Sequence, residues 1–75
     1  SVSCPDLLIL DWELPDIKAG QIMAQLRGLC PEMHIIATSG RIESRQQALE
    51  AGADAFINKS DTPEEMIDTI NQVIK

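Results

Sequence analysis

The stretch Pro5–Pro15 (PDLLILDWELP) decides the fold of this chain. At its centre, Leu7–Leu10 is a short, continuous apolar run that lies between two aspartates. A run of this length is typical of a strand that is buried on both faces, as strands are in parallel sheets. Asp11 ends the run, and Pro15 with Asp16 predicts a turn. The stretch therefore predicts a buried parallel strand followed by a loop.

Helical and extended patterns alternate along the rest of the chain. Apolar residues recur at helical spacing after the first loop, and two further short apolar runs predict strands. The remaining predicted elements are a helix from about Ala19 to Leu29, a strand from Met33 to Thr38, a helix from about Glu43 to Ala51, a strand from Ala55 to Ile57 and a helix that begins near Pro63. Strands that alternate with helices predict an α/β fold with a parallel, doubly wound sheet.

Local signals mark where two of the helices end and begin. Gly52 follows the second helical pattern, where a left-handed residue commonly terminates a helix. Before the last helix, Thr62 is a good N-terminal cap, Pro63 suits the first helical position, and Glu65 completes a capping box. These signals predict the boundaries independently of the apolar pattern.

Composition limits the function classes. The chain has 75 residues, so we expect one small domain at most. Its net charge of −6 opposes general binding to nucleic acid or to anionic membranes. No apolar run approaches the roughly 18 residues that a membrane span needs, and no signal peptide opens the sequence. We therefore expect a cytoplasmic protein that binds neither nucleic acid directly nor membranes.

The chain has two cysteines, Cys4 and Cys30, and each precedes a proline. Neither a CxxC motif nor the spacing of a Cys/His metal site is present. For a cytoplasmic chain, two such cysteines predict reduced thiols with a structural role.

Three chemically different side chains come at the ends of the predicted strands. The first strand ends in Asp11, the second in Ser39 and the third in Asn58 and Lys59. In open parallel sheets, functional groups gather at the carboxyl ends of the strands. A carboxylate can attack phosphorus, a lysine can neutralise phosphoryl oxygens and a hydroxyl can donate a hydrogen bond to one of them. The pattern predicts a site for phosphoryl chemistry.

Three segments together resemble the receiver domain of response regulators from two-component signalling systems. Pro5–Pro15 resembles the family's third strand with its phosphoacceptor aspartate, and His34–Gly40 (HIIATSG) resembles the fourth strand with its switch hydroxyl. Ala48–Lys59 (ALEAGADAFINK) is similar to the end of the fourth helix and the fifth strand with its lysine. The resemblance implies a flavodoxin-like receiver fold and a phosphoprotein that relays a signal.

The resemblance also implies roles for single residues. Asp11 is expected to accept a phosphoryl group from a histidine kinase or a phosphotransfer protein, without turning over as an enzyme. The backbone carbonyl of Glu13 is expected to bind Mg²⁺ together with Asp11, and its side chain to lie beside the phosphate. Ser39 is expected to move toward the phosphoryl group, Phe56 to turn inward with it, and Lys59 to pair with the phosphate.

Several features depart from the family's pattern. Lys59 is followed by Ser60 where the family usually has a proline joined through a cis peptide bond, so the geometry there stays open. The loop after Ser39 is shorter than usual, which leaves Thr38 as the alternative switch hydroxyl.

The family's first two strands and their helices have no counterpart, so residues 1–75 are expected to form a partial receiver domain. Because the family's acidic pair belongs to that part, the chain alone is expected to bind Mg²⁺ weakly or not at all. The strand Leu7–Leu10 is expected to lie at an open sheet edge and to allow self-association.

Two other functions fit parts of the pattern. A degenerate or truncated receiver would act only as a protein-interaction module. A phosphatase fragment of the haloacid dehalogenase class would also use an aspartate, a hydroxyl and a lysine in this order. That class has a second aspartate where this chain has Glu13, and a later acidic pair for Mg²⁺, so it fits less well.

Overall fold

The computed structural model describes residues 3–13 and 19–74. Its elements are β1 (Leu7–Asp11), α1 (Ala19–Leu29), β2 (His34–Ser39), α2 (Ser44–Glu50), β3 (Ala55–Asn58) and α3 (Pro63–Ile74). The predicted alternation of strands and helices is confirmed, and the bounds of α1 are those predicted from the sequence. The turn predicted at Pro15 and Asp16 lies outside the described residues.

The three strands form one parallel sheet in the order β1-β2-β3. Along the first ladder, Leu7 lies opposite His34 and Asp11 lies opposite Thr38. Along the second, Ser39 lies opposite Asn58. Since all three strands run in the same direction, their carboxyl ends meet at one edge of the molecule.

The main core lies between one face of the sheet and the helices α1 and α2. It is built from residues that alternate along the strands, together with the buried positions of the two helices. Its buried members are Leu10, Met23, Cys30, Met33, Ile35, Ala37, Ala48 and Ala53. Helix α3 packs on β3 and β2 from the other side. The central strand β2 is therefore covered on both faces, and Ile35, Ile36 and Ala37 are fully buried.

The apolar run of β1 predicted that both of its faces are buried, and this prediction is wrong for one position. Ile9 is 49% exposed, whereas Leu10 is 9% exposed and belongs to the core. Within the described residues β1 pairs only with β2, and α3 lies over β2 and β3. A continuous apolar run identifies the strand but does not show that both of its faces are covered.

Both predicted helix signals operate as expected. Gly52 has a positive φ of 114°, and its N–H donates to the carbonyl of Leu49, which closes the end of α2. At the start of α3, the Thr62 N–H donates to Glu65 Oε1 (3.1 Å), and the Glu65 N–H donates to Thr62 Oγ1 (3.2 Å). This reciprocal pair is a capping box, and it lowers the pKa of Glu65.

A partly exposed ion pair connects three elements at the amino end of the sheet. Arg27 of α1 donates to Asp54 (3.0 Å), to the carbonyl of Gly52 (2.8 Å) and to the carbonyl of Met33. Asp54 also accepts the N–H of Ile35 (2.8 Å). Burial opposes ionisation of Asp54, but this N–H and the Arg27 guanidinium outweigh it, so its pKa lies below the ordinary value. The pair therefore holds α1 and the loop before β3 against the start of β2.

The prediction that both cysteines are reduced thiols is wrong in this structure. Cys4 and Cys30 form a disulfide, with their Cα atoms 5.8 Å apart. The segment that leads into β1 runs beside the end of α1, which brings together two residues that are 26 positions apart. This proximity depends on how α1 packs against the sheet, and the spacing of the cysteines gave no sign of it.

None of the helices in the described ranges is long and apolar enough to span a membrane.

Candidate functional site

The carboxyl ends of the three strands bring the predicted acidic, hydroxyl and basic residues together. Lys59, which directly follows β3, places its Nζ 3.1 Å from Asp11 Oδ2 at the end of β1. The backbone N–H of Lys59 donates to the carbonyl of Ser39 at the end of β2 (2.9 Å). Asp11 and Lys59 are 48 positions apart in sequence. The parallel sheet, with its short βα connections, is what makes them neighbours.

Both carboxylate oxygens of Asp11 accept hydrogen bonds. The backbone N–H of Glu13 donates to Oδ1 (2.9 Å), and the Lys59 ammonium donates to Oδ2. The Glu13 N–H and the Lys59 ammonium both lower the pKa of Asp11. Because the side chains of Asp11 and Lys59 are 42% and 46% exposed, the pair is open to solvent. Asp11 is thus an ionised and accessible carboxylate at neutral pH.

Ser39 points into the protein and bonds to Glu13 rather than to Asp11. Its hydroxyl donates to Glu13 Oε1 (2.7 Å), and the Arg41 N–H donates to Ser39 Oγ (3.0 Å). The hydroxyl of Ser44, at the start of α2, lies 3.3 Å from that of Ser39. Ser39 is fully buried. The second oxygen of the Glu13 carboxylate, Oε2, lies 4.0 Å from Lys59 Nζ, so Glu13 links Ser39 to the Asp11–Lys59 pair.

Thr38 and Ser39 face opposite sides of the sheet because they are consecutive in a strand. Thr38 lies directly across the ladder from Asp11, and its carbonyl accepts the Trp12 N–H (2.8 Å). Within the described ranges, the Thr38 hydroxyl makes no hydrogen bond. Thr38 is therefore the hydroxyl whose strand position matches Asp11, whereas Ser39 is the hydroxyl already engaged by Glu13.

Phe56 lies opposite Ala37 in the second ladder and packs against the core. It is half-buried and lies three positions before Lys59. Its side chain therefore packs on the core rather than entering the site. The loop after Lys59 is ordered by Asn58, whose side-chain oxygen accepts the N–H (2.9 Å) and the hydroxyl (2.7 Å) of Ser60. The Lys59–Ser60 peptide bond is trans, as are the other described peptide bonds.

Ser44 is the member of this site that the sequence did not single out. It is 8% exposed and is the first residue of α2, whose N-cap residue Glu43 makes no side-chain capping bond. Its position five residues after Ser39 gives no motif. Only the packing of α2 against β2 shows that the two hydroxyls meet.

The residues at this site do not form a complete metal site. Asp11 and Glu13 offer the oxygen ligands that Mg²⁺ prefers. However, no group of three or more acidic, histidine or cysteine side chains in the described residues is arranged to hold a metal ion. The Lys59 ammonium also lies against both carboxylates. These residues fit part of a magnesium shell at most.

Comparisons with known proteins agree on one family. The sequence model of the response regulator receiver domain matches residues 2–71. The chain is 33% identical over 73 residues to the transcriptional regulatory protein CreB of Escherichia coli K12, covering 95% of this chain and 32% of CreB. The chain thus spans about a third of the length of such curated relatives.

Solved structures give the same result. The CheY-like response regulator receiver domain protein of Methanospirillum hungatei JF-1 superimposes with a TM-score of 0.76 at 30% identity, over 92% of this chain and 57% of that one. The response regulator DrrB of Thermotoga maritima gives a TM-score of 0.79 at 26% identity, over 96% of this chain and 34% of DrrB. Since the match spans nearly the whole chain and the α/β fold agrees, this chain belongs to the response regulator receiver domain family of two-component systems, which has a flavodoxin-like fold.

Proposed function

We propose that this chain is the phosphoacceptor part of a two-component signalling protein, with Asp11 receiving the phosphoryl group from a histidine kinase or a phosphotransfer protein. The observation that carries the proposal is the pair formed by Asp11 and Lys59. The carboxylate is ionised and half-exposed, and the ammonium lies 3.1 Å from it at the carboxyl edge of a parallel sheet. An accessible anionic nucleophile beside a cation suits phosphoryl transfer.

The transfer is a simple exchange of bonds. A carboxylate oxygen of Asp11 attacks the phosphorus of a phosphohistidine, an O–P bond forms, and the N–P bond breaks. The imidazole leaves with the electron pair of that bond and takes up a proton from solvent. Lys59 then pairs with a phosphoryl oxygen in place of the carboxylate oxygen that it contacts before transfer. One phosphoryl group is accepted for each Asp11, so the domain does not turn over as an enzyme.

We assign contact with the phosphoryl group to Ser39, with Thr38 as the alternative hydroxyl. Ser39 ends β2 beside Lys59, whose backbone N–H donates to the Ser39 carbonyl (2.9 Å), and its hydroxyl already lies at the site through its bond to Glu13 Oε1. After transfer, the Ser39 hydroxyl would leave Glu13 for a phosphoryl oxygen, since it has one proton to donate. Thr38 lies across the ladder from Asp11 but faces the opposite side of the sheet from Ser39. The inward turn expected of Phe56 remains part of the proposal, since this aromatic ring lies three positions before Lys59 and is only half-buried.

We further propose that residues 1–75 are part of a larger receiver domain, because the chain covers only 57% of the receiver domain protein of Methanospirillum hungatei. The longer polypeptide that carries these residues is called the parent polypeptide below. Receiver domains in general bind Mg²⁺, and here Asp11 and the backbone carbonyl of Glu13 would supply two ligands. The parent polypeptide would supply the rest. The 75 residues alone are therefore expected to bind Mg²⁺ weakly.

The edge of β1 is a candidate surface for self-association of the 75-residue chain. The Asp6 carbonyl accepts the His34 N–H, and the Trp12 N–H donates to the Thr38 carbonyl, so alternate residues of β1 bond to β2. The N–H and C=O groups of Leu7, Ile9 and Asp11 therefore point toward the side of β1 on which no described strand lies. A second copy can pair with this edge. Sedimentation should show dimers or larger species, and a monodisperse monomer would contradict this.

The function is tested by phosphorylation of two matched polypeptides. The parent polypeptide and the 75-residue chain are each incubated with Mg²⁺ and a phosphorylated histidine kinase, and the phosphate is located by peptide mass spectrometry. The parent is expected to carry one phosphoryl group on Asp11, and the chain alone little or none. A parent polypeptide that stays unlabelled would favour the alternative function, in which the receiver acts only as a protein-interaction module. Phosphate on another residue, or stoichiometric labelling of the chain alone, would contradict the proposal.

A further inference from the structure

We propose that the disulfide between Cys4 and Cys30 is a reversible redox-sensitive link, which thiols open at the Cys4 sulfur and which holds the segment before β1 on the end of α1. This segment, residues 3–6, is called the entry segment below. Opening the link releases the entry segment, while α1 and the sheet keep their positions. The inference concerns the amino end of the sheet and does not depend on phosphorylation of Asp11.

The two cysteines differ in exposure, and this difference decides where a thiol attacks. Cys4 is exposed, whereas Cys30 is 6% exposed and belongs to the core. An open depression of about 360 Å³ borders both cysteines, and the exposed Pro5 and Pro31 form part of its lining. The rate of thiol–disulfide exchange depends on which sulfur the thiolate can reach. A thiol in solution therefore attacks Cys4, and Cys30 is the leaving group.

The opening of the link is a two-step exchange with a dithiol as reductant. One thiolate of the reductant attacks Cys4 Sγ and forms a mixed disulfide, and the bond between the two cysteines breaks. Cys30 leaves with the electron pair of that bond and takes up a proton from solvent. The second thiolate of the reductant then attacks the reductant's own sulfur in the mixed disulfide, and Cys4 leaves and is protonated in turn. The chain gains two electrons, and the dithiol is oxidised to a disulfide.

On the α1 side of the link, Cys30 is held by contacts that do not involve its sulfur. The Cys30 N–H donates to the Leu26 carbonyl (2.7 Å), and the Cys30 carbonyl accepts the Met33 N–H (3.1 Å). Cys30 and Met33 are both buried in the core. Cys30 therefore stays in place when the disulfide is reduced, and Cys4 meets it at the same position when the link forms again.

The entry segment has much less to hold it. In the described part of the chain, it makes one backbone hydrogen bond, at its last residue, where the Asp6 carbonyl accepts the His34 N–H (3.0 Å). Cys4 Sγ lies 3.7 Å from the Leu29 carbonyl, and a reduced thiol is only a weak donor at such a distance. Reduction therefore frees residues 3–5, while Asp6 keeps the start of β1 on β2.

The charge around the disulfide selects the kind of thiol. The charged side chains that line the depression are Asp6 and Glu32, and both are exposed carboxylates. They repel an approaching thiolate that carries further negative charge, and they attract one that carries an ammonium group. The link is therefore expected to react faster with cationic thiols than with anionic ones, and salt should reduce the difference.

The site of attack is tested by mass spectrometry of the oxidised 75-residue chain. The chain is exposed briefly to cysteamine, a cationic monothiol, and the reaction is stopped with acid before the mixed disulfide is located by peptide analysis. The adduct on Cys4 is expected to exceed that on Cys30 by about tenfold or more, because access differs. An adduct mainly on Cys30, or equal adducts on both, would overturn the proposal.

The selection by charge is tested with two double variants that change the net charge equally. At low salt, Asp6→Asn/Glu32→Gln should slow the reaction with cysteamine about threefold and speed the reaction with anionic mercaptoacetate by a similar factor. Glu64→Gln/Asp68→Asn, which removes two exposed carboxylates on α3, is the matched control and should leave both rates nearly unchanged. Equal effects of the two double variants would overturn the selection by Asp6 and Glu32.

The release of the entry segment is tested by ¹⁵N relaxation before and after reduction with dithiothreitol. The backbone order parameters of Ser3 and Cys4 should fall from about 0.85 to below about 0.6, while those of Cys30 and Met33 stay at the higher value. Removing the reductant and adding hydroxyethyl disulfide should restore the original values. Cys4→Ser/Cys30→Ser is the control and should have the low values at Ser3 with and without reductant.

Two results of this experiment would overturn the proposal. Order parameters that do not change on reduction would mean that other contacts hold the entry segment. A loss of order along the whole chain would mean that the disulfide maintains the fold instead of holding one segment. Should the double serine variant fail to fold, the reduced and reoxidised wild type decides between these results.

Discussion

The two ends of the sheet each contain a carboxylate paired with a cation, but the pairs differ in what else they contact. At the amino end, Arg27 donates to Asp54 and to two backbone carbonyls, and Asp54 also accepts a backbone N–H. At the carboxyl end, Lys59 donates to Asp11, and the pair is about half-exposed. Arginine forms a rigid fork that spans several acceptors, whereas lysine is a compact charge that can change partner. An ion pair at a strand end is therefore no sign of function by itself.

The comparison also shows what the two ends do for the molecule. The ion pair at the amino end connects α1, β2 and the loop before β3, and the disulfide between Cys4 and Cys30 adds a covalent link there. At the carboxyl end, the polar side chains bond to one another and to backbone N–H groups of the adjacent loops. We infer that the amino end stabilises the fold and that the carboxyl end is free to react. Four experiments test this division.

The largest effect should appear when the two aspartates are exchanged for asparagine in the parent polypeptide. Asp11→Asn should abolish phosphorylation, because the amide is not a nucleophile toward phosphorus. Asp54→Asn should leave the stoichiometry unchanged, since Asp54 lies at the opposite end of the sheet. Labelling by a phosphorylated kinase measures both. An equal loss of phosphorylation in the two variants would contradict the division of roles between the two ends of the sheet.

The disulfide should be the largest contribution of the amino end to stability. Closing a loop between residues 26 positions apart is expected to stabilise the fold by about 3 kcal/mol, chiefly by restricting the unfolded chain. Urea unfolding of the 75-residue chain with and without a phosphine reductant measures the difference. The variant Cys4→Ser/Cys30→Ser is the control and should be insensitive to the reductant. A wild type that is equally insensitive would show that the link contributes nothing.

A smaller loss is expected from the ion pair at the amino end. Asp54→Asn should lower the free energy of unfolding by about 1 kcal/mol, because Arg27 and the Ile35 N–H lose a charged acceptor in a partly exposed position. Asp11→Asn, the matched change at the carboxyl end, should lower it less. Urea midpoints under oxidising conditions give both values. A larger loss of stability in Asp11→Asn than in Asp54→Asn would contradict the prediction.

The smallest effect concerns pH. The folded-state pKa of Asp54 is below its ordinary value of 3.8, so the ionised form is favoured by folding. Its stabilising contribution is present above that value and is lost as the pH falls through the folded-state pKa. The difference in stability between wild type and Asp54→Asn should therefore be constant near neutral pH and shrink below about pH 4. A difference that grows on acidification would contradict the lowered pKa.

Much of the fold and part of the site could be predicted from the sequence. The helix α1, the cap at Gly52 and the capping box at Thr62 depend on patterns within a few residues, and the structure has them where the sequence predicted them. Parallel strands then require that Asp11 and Lys59 lie at the same edge. The local pattern and the rule for parallel sheets together were sufficient for the Asp11–Lys59 contact.

The tertiary structure alone decided the remaining features. The bond from Ser39 to Glu13 depends on the position of the loop after β1. The contact of Ser39 with Ser44 and the pairing of Cys4 with Cys30 depend on how α2 and α1 pack against the sheet. A sequence determines which residues have helical or extended periodicity, because those preferences arise from near neighbours. It does not by itself show which hydroxyl of Thr38 and Ser39 lies opposite Asp11, because that depends on the register between strands far apart in sequence.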